Sequence, residues 1–137
     1  MTVQFQLGKH LKGFAQANKN KFILYRESDD LLLLHGIEHS IEKNKATRHS
    51  NIVDALGLKH WRVMGGGEYI YLPEEKRLEF NYYSREYGCV PYYIMEKFQD
   101  PMKEEFIRVG KPIDFVRSFM ESERDGETKQ KWRELGI

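Results

Sequence analysis

The sequence is short of cysteine, of net charge and of long apolar runs, and each shortage removes a class of protein. Cys89 is the sole cysteine, so an intrachain disulfide is impossible and a thiolate metal cluster is excluded, which fits a reducing compartment. Lysine and arginine number 22 against 21 acidic residues, a formal charge of +1. No global field draws such a chain to nucleic acid or a membrane surface, so partners must be read from local patches. No window approaches the length of a bilayer span, and Val3, Phe5 and Leu7 alternate with polar residues instead of forming the apolar core of a leader. The expected location is cytoplasmic, without membrane association.

What is present is an ordinary balance, 40% hydrophobic and 31% charged over 137 residues, enough for one domain with a single core. The period-two apolar residues at 3, 5 and 7 predict a first strand, and residues 9–21 read as a basic loop. Phe22–Tyr25 and Leu31–Leu34 flank a polar turn and predict a hairpin in the middle of the sheet, the leucine run pointing to cover on both faces. His35 and His39 fall in a polar connection. A helix is expected over 47–56, capped by Thr47 or Ser50 and ended by Gly57, with His49 on the margin of its apolar stripe.

Further on, 58–64 and 68–72 read as strands separated by Gly65-Gly66-Gly67, and Pro73–Lys76 as a turn into a half-buried strand at 77–83. A second helix is predicted over 90–98, an edge strand at 105–109 and an amphipathic helix from Ile113 to Met120, before a polar run that carries Trp132 and Leu135. Residues 1–20 thus form an N-terminal strand and loop, 21–98 the main body and 99–137 a C-terminal extension.

Two glycine-closed segments carry the chemistry. Gly65-Gly66-Gly67 and Ser84-Arg85-Glu86-Tyr87-Gly88 can bring bare backbone N–H groups to an anion, the second just before a helix N-terminus. The competing structural reading of the triplet is a tight bulge between adjacent strands. His49 is the candidate base, since an ordinary imidazole is mostly neutral at pH 7. Lys21 and Arg26, at the ends of a strand, are candidate anion-binding cations. No histidine stands at a metal-ligand spacing such as H-E-x-x-H, and no metal site is expected. Tyrosines 82, 83, 87, 92 and 93 surround Arg85, a pattern that packing explains more simply than base stacking, so nucleic acid is a disfavoured partner.

In this order, Lys21-Phe22-Ile23-Leu24-Tyr25-Arg26, His49-Ser50-Asn51-Ile52, Gly65-Gly66-Gly67 and Ser84-Arg85-Glu86-Tyr87-Gly88 resemble the Janus/Ocnus family, best known for phosphohistidine phosphatases. The resemblance spans about residues 21–98. It implies an α+β fold, a mixed sheet flanked by helices, here with an added C-terminal helical segment, and cofactor-free hydrolysis of a phosphoryl group on a phosphorylated protein or small ligand. His49 would be the general base, Lys21 a phosphate-binding cation, and the N–H groups of Ser84, Arg85 and Glu86 the phosphoryl cradle beside Gly65, Gly66 and Gly67. Two departures stand out. Glu68 occupies the place of an arginine after the glycines, and His35-Gly36 that of an arginine-glycine pair, so Arg26, Arg48 or Arg85 would have to compensate. The alternative is a non-catalytic binding or regulatory protein on the same fold, with the helix from Ile113 as its partner or homodimer surface.

Overall fold

The structure, a computed structural model, describes residues 2–7, 20–38, 41–42, 45–46, 48–118, 126, 130, 132 and 133. The expected basic loop falls almost wholly outside these residues, as do His39, Thr47 and Leu135. The elements in chain order are β1 (Thr2–Leu7), β2 (Asn20–Arg26), β3 (Leu31–Glu38), β4 (Ile41–Glu42), β5 (Lys45–Ala46), α1 (His49–Ala55), a 3-10 turn (His60–Arg62), β6 (Val63–Leu72), β7 (Arg77–Phe80), β8 (Tyr83–Ser84), β9 (Gly88–Cys89), α2 (Tyr92–Arg108) and β10 (Phe115–Ser118).

These make a mixed α+β fold. The main sheet runs β1-β3-β2-β6-β7-β10, with β9 pairing to β6 and to β8. β1 lies parallel to β3 and β10 parallel to β7, while β2 is antiparallel to both β3 and β6. The expected hairpin is therefore present, and both its strands are interior. Alternation along β2 sends Phe22 and Leu24 to a core shared with Met95, Phe98, Met102 and Phe106 of α2. It sends Ile23 to the opposite face, against Ile52 and Val53 of α1. The two helices thus cover opposite faces of the sheet, because successive strand side chains point to opposite sides.

Several expectations are corrected by packing. In the leucine run only Leu32 and Leu34 are buried, Leu31 and Leu33 remaining half-exposed. The second helix does not stop at Phe98; α2 continues through Pro101 to Arg108, because Ile94, Met95, Phe98, Met102 and Phe106 form one buried stripe that packing holds across the proline. The expected edge strand at 105–109 is the end of this helix, and Pro91 stands at its N-cap. The expected helix from Ile113 is instead the edge strand β10, so it offers no helical partner or dimer surface. Residues 115–118 satisfy their backbone by pairing with β7, which overrides a helical apolar spacing.

The strand at 77–83 is buried on both faces, unlike its half-buried pattern. Leu78 and Phe80 join the α2-side core, while Glu79 is fully buried. Its carboxylate accepts a 3.2 Å hydrogen bond from Trp132 Nε1 and lies 2.9 Å from Arg77 Nε, an ion-pair contact out of line for a hydrogen bond. Trp132, itself fully buried, packs with Ile70 and half-buried Leu72. Trp132 therefore covers Glu79 and Ile70 on this face of the sheet.

The glycine triplet is no loop. It lies inside β6, where Gly65, Gly66 and Gly67 pair with Leu24, Ile23 and Phe22. Beside it the register with β2 shifts, Gly65 opposing Leu24 and Val63 opposing Tyr25, which leaves Met64 bulged. Gly65 has φ 152°, a conformation that disfavours a side chain. A Cβ at Gly67 would stand 2.5 Å from the ring of fully buried Phe22 and would also collide with the Asn81 carbonyl. Gly67→Ala is expected to cost about 3 kcal/mol or to prevent folding, whereas Gly126→Ala, with open space around it, should stay within about 0.5 kcal/mol. Urea denaturation of both variants checks the pair.

Candidate functional site

His49 is the first residue of α1. The N-cap is Arg48 instead of the expected Thr47 or Ser50, and the Asn51 side chain, at the third helical position, accepts a 2.8 Å hydrogen bond from the Arg48 N–H. Gly57, at φ 66°, ends the turn that follows, as expected. Helix α1 lies against Ile23, so its first side chain is directed at the sheet. His49 is only 5% exposed, and its Nε2 lies 2.8 Å from the Gly67 carbonyl oxygen. A Cβ on Gly66 would come within 2.9 Å of the imidazole. Gly66 thus serves as space for the ring, while Gly65 and Gly67 make room for Val90 and for Phe22 and the Asn81 carbonyl.

This contact fixes the tautomer. A carbonyl only accepts, so Nε2 carries the proton and Nδ1 of the neutral ring keeps the lone pair. Burial lowers the His49 pKa, Lys21 lowers it further, and the Gly67 hydrogen bond, Glu68 and Glu86 oppose the shift. The net direction is down. At pH 7 the imidazole is a neutral base held in one orientation.

Lys21 and Glu68 are cross-strand partners in the β2–β6 register, and Lys21 Nζ lies 3.9 Å from Glu68 Oε2. Asn81 clamps the glutamate: its Oδ1 accepts from the Glu68 N–H at 2.8 Å, and its Nδ2 donates to Glu68 Oε1 at 3.4 Å. Residues 66 and 68 share a face of β6, so Glu68 lies on the His49 side of the sheet. Lys21 is therefore half-neutralised where the family resemblance would have two cations. The pair is partly exposed, which limits its strength.

The second glycine-closed segment is the tight β8–β9 hairpin, with Ser84 opposite Gly88 and Arg85–Tyr87 outside the ladder. Buried Ser84 shapes it by accepting at Oγ from the Tyr87 N–H, 3.3 Å away. Glu86 reaches to α1, where Oε1 accepts from the Ser50 N–H at 3.2 Å. Burial works against this charge, but hydrogen bonds from the Ser50 side chain and backbone outweigh it, with help from His49 and Arg48, and the carboxyl sits below its ordinary pKa. The hairpin turn is thereby anchored at the start of the helix that carries His49.

A further network is invisible in sequence spacing. His60 Nε2 lies 2.7 Å from Asp54 Oδ1, and His60 Nδ1 lies 2.6 Å from the Tyr87 hydroxyl. With Nε2 protonated toward the carboxylate, Nδ1 accepts from the phenol. Burial and the nearby Glu86 and Asp54 raise the Tyr87 pKa, which keeps that phenol a donor. This chain ties the far end of α1 to the same hairpin. Only the cluster His60-Trp61-Arg62 after Gly57 could have flagged it, and reading 58–64 as a strand hid it.

The structure thus gathers His49, Lys21, Glu68, Glu86 and the Ser84–Gly88 turn around α1. It places Gly65–Gly67 beneath the imidazole within a strand. Arg26 stands at the other end of β2, Arg48 at the α1 N-cap, and His35 inside β3 instead of a connection, its ring against Tyr25.

A stability test follows from the lowered pKa. The folded state holds the His49 proton less tightly than the unfolded chain, so this residue's contribution is complete above the ordinary value of 6.5 and declines as pH falls toward the folded pKa. His35, lowered mainly by burial, acts in the same direction. Denaturation midpoints measured from pH 8 to 5 should fall, and His49→Gln should make that fall shallower.

In comparisons with known proteins, no family model matches the chain, and no curated protein matches it.

Proposed function

We propose that the α1 face around His49 is the site of a metal-independent phosphohydrolase, resembling phosphohistidine phosphatases, in which a neutral histidine activates water. The observation that carries this reading is the imidazole itself, buried, turned by the Gly67 carbonyl and left with Nδ1 as a base. In this mechanism Nδ1 takes a proton from water as the oxygen attacks phosphorus. The P–N or P–O bond opposite breaks, the leaving group departs with its electron pair, and the imidazolium returns a proton to it. Lys21 and the N–H groups of Ser84, Arg85 and Glu86 hold the equatorial oxygens, since positioning and electrostatics supply most of phosphoryl-transfer catalysis. Gly65–Gly67, paired inside β6, have no part in this cradle; Gly66 contributes the space that admits the imidazole.

A second reading is a binding or regulatory protein on this fold, taking an anionic ligand or a protein partner. It is favoured by the Lys21–Glu68 pair and by Glu86 at the Ser50 N–H, which set the chain's own carboxylates where an anion would sit. Turnover separates the two. Purified full-length protein in a chelator should release phosphate from a phosphohistidine or phospholysine peptide, with His49→Ala reducing kcat by about 100-fold or more. The rate should rise as pH passes a midpoint below 6.5 and be flat above 7, following the lowered His49 pKa. Glu68→Gln should raise kcat/KM several-fold by freeing Lys21. Absence of release across phosphoamidates and aryl phosphates would overturn the hydrolase reading and leave the binding one.

A further inference from the structure

A second site lies at the far end of the β2–β6 pair. Lys21 opposes Glu68 at one end and Tyr25 opposes Val63 at the other, a separation of about 13 Å at ~3.3 Å per residue. Beyond that end Arg26, Ser28, Asp29, Trp61, Arg62 and Met64 line a half-open cavity of about 410 Å³, within the ~300–1,000 Å³ range of small-ligand pockets.

Its lining is unusual for a surface cleft. Trp61 is 73% exposed, more than any other large apolar side chain among the described residues. An indole held in water forfeits a large burial gain. The Arg62 guanidinium stands 4.8 Å from the ring centroid and Lys59 Nζ 5.7 Å. Arg62 is fixed, since Nη1 donates to the carbonyls of Arg26 and Glu27 at 3.2 and 3.1 Å. Its Nε is buried with no hydrogen-bond partner among the described residues. Arg26 reaches Asp29 at only 3.4 Å, and both side chains are largely exposed, so that pair yields easily to a better anion. Among the lining residues, Arg26 and Arg62 against Asp29 leave the pocket net positive.

We propose that this cavity binds an aromatic anion of mononucleotide size, a planar ring stacking on the Trp61–Arg62 ledge and its phosphate meeting the guanidinium of Arg26, with the charge of Arg62 beside it. A flat indole–guanidinium surface suits any base and makes no demand on its identity. A bidentate guanidinium suits a phosphate. Neither half alone accounts for an exposed tryptophan beside a guanidinium fixed against its ring. The site is independent of the His49 chemistry and stands if the hydrolase reading fails.

The test is a titration of the full-length protein with adenosine 5′-monophosphate, followed by tryptophan fluorescence, where Trp132 is buried and Trp61 reports, and by calorimetry. Saturable quenching at or below about 1 mM is expected, with adenosine and inorganic phosphate each about tenfold weaker or more. Trp61→Leu and Arg26→Gln, both at exposed positions and checked for folding by circular dichroism, should each weaken calorimetric binding about tenfold. Lys97→Gln, at an exposed position of α2, should leave it unchanged. A single-stranded pentanucleotide that binds more tightly assigns the nucleotide unit to a strand, and one that binds equally or less assigns it to a free ligand; both outcomes support the site. No saturation by 5′-AMP or the oligonucleotide, equal binding of inorganic phosphate, or undiminished binding by both pocket variants would overturn it.

Discussion

The hydrogen bond between the His49 imidazole and the Gly67 carbonyl is the contact on which the rest depends. A histidine ring can lie on the face of a strand only where that strand has no side chains beneath it. Gly66 supplies this absence, and Gly67 extends it on the other face, where Phe22 and the Asn81 carbonyl press against the backbone. The same three residues that weaken a strand by their entropy are here paired with β2, and Gly66 also with Cys89 of β9. In return the ring gains one partner, one tautomer and exclusion from water, the conditions that turn an ordinary imidazole into a neutral, oriented base.

Around this contact the charges are arranged in pairs instead of as an open cationic bowl. Lys21 faces Glu68, Glu86 faces the start of α1, and Asp54, His60 and Tyr87 form a chain to the same hairpin. Helix α1 is thereby pinned at both ends to the Ser84–Gly88 turn, so base and turn keep a common frame. That rigidity serves catalysis or recognition equally. What distinguishes the two readings is whether Glu68 leaves Lys21 enough field to hold a phosphoryl group. Because the pair is partly exposed and 3.9 Å apart, its mutual neutralisation is incomplete.

Much of the sheet was legible because its interior strands are short apolar runs bounded by polar turns, as in 22–25, 31–34 and 77–80. What misled the reading was packing by residues distant in sequence. Glu79 looked outward until Trp132 covered it; Pro101 looked like a helix end until Met102 and Phe106 continued the buried stripe; and 113–120 had helical spacing although β7 offered it an edge. At the site, His49 and the Ser84–Gly88 turn could be named because residue type and spacing mark them. The Gly67 carbonyl as the imidazole's partner, Asn81 as the clamp on Glu68 and the His60 network could not be named, since each depends on which strands lie side by side.

The central claim, that this fold holds His49 as a neutral base with its proton on Nε2, is open to a direct measurement. Nitrogen-15 NMR of the histidine rings in the full-length protein, with His49 assigned by substitution, reports the protonation of each nitrogen. At pH 7 the account requires a protonated Nε2, a bare Nδ1 and a titration midpoint below 6.5. A ring protonated on Nδ1 instead, or one already an imidazolium at pH 7, would contradict it.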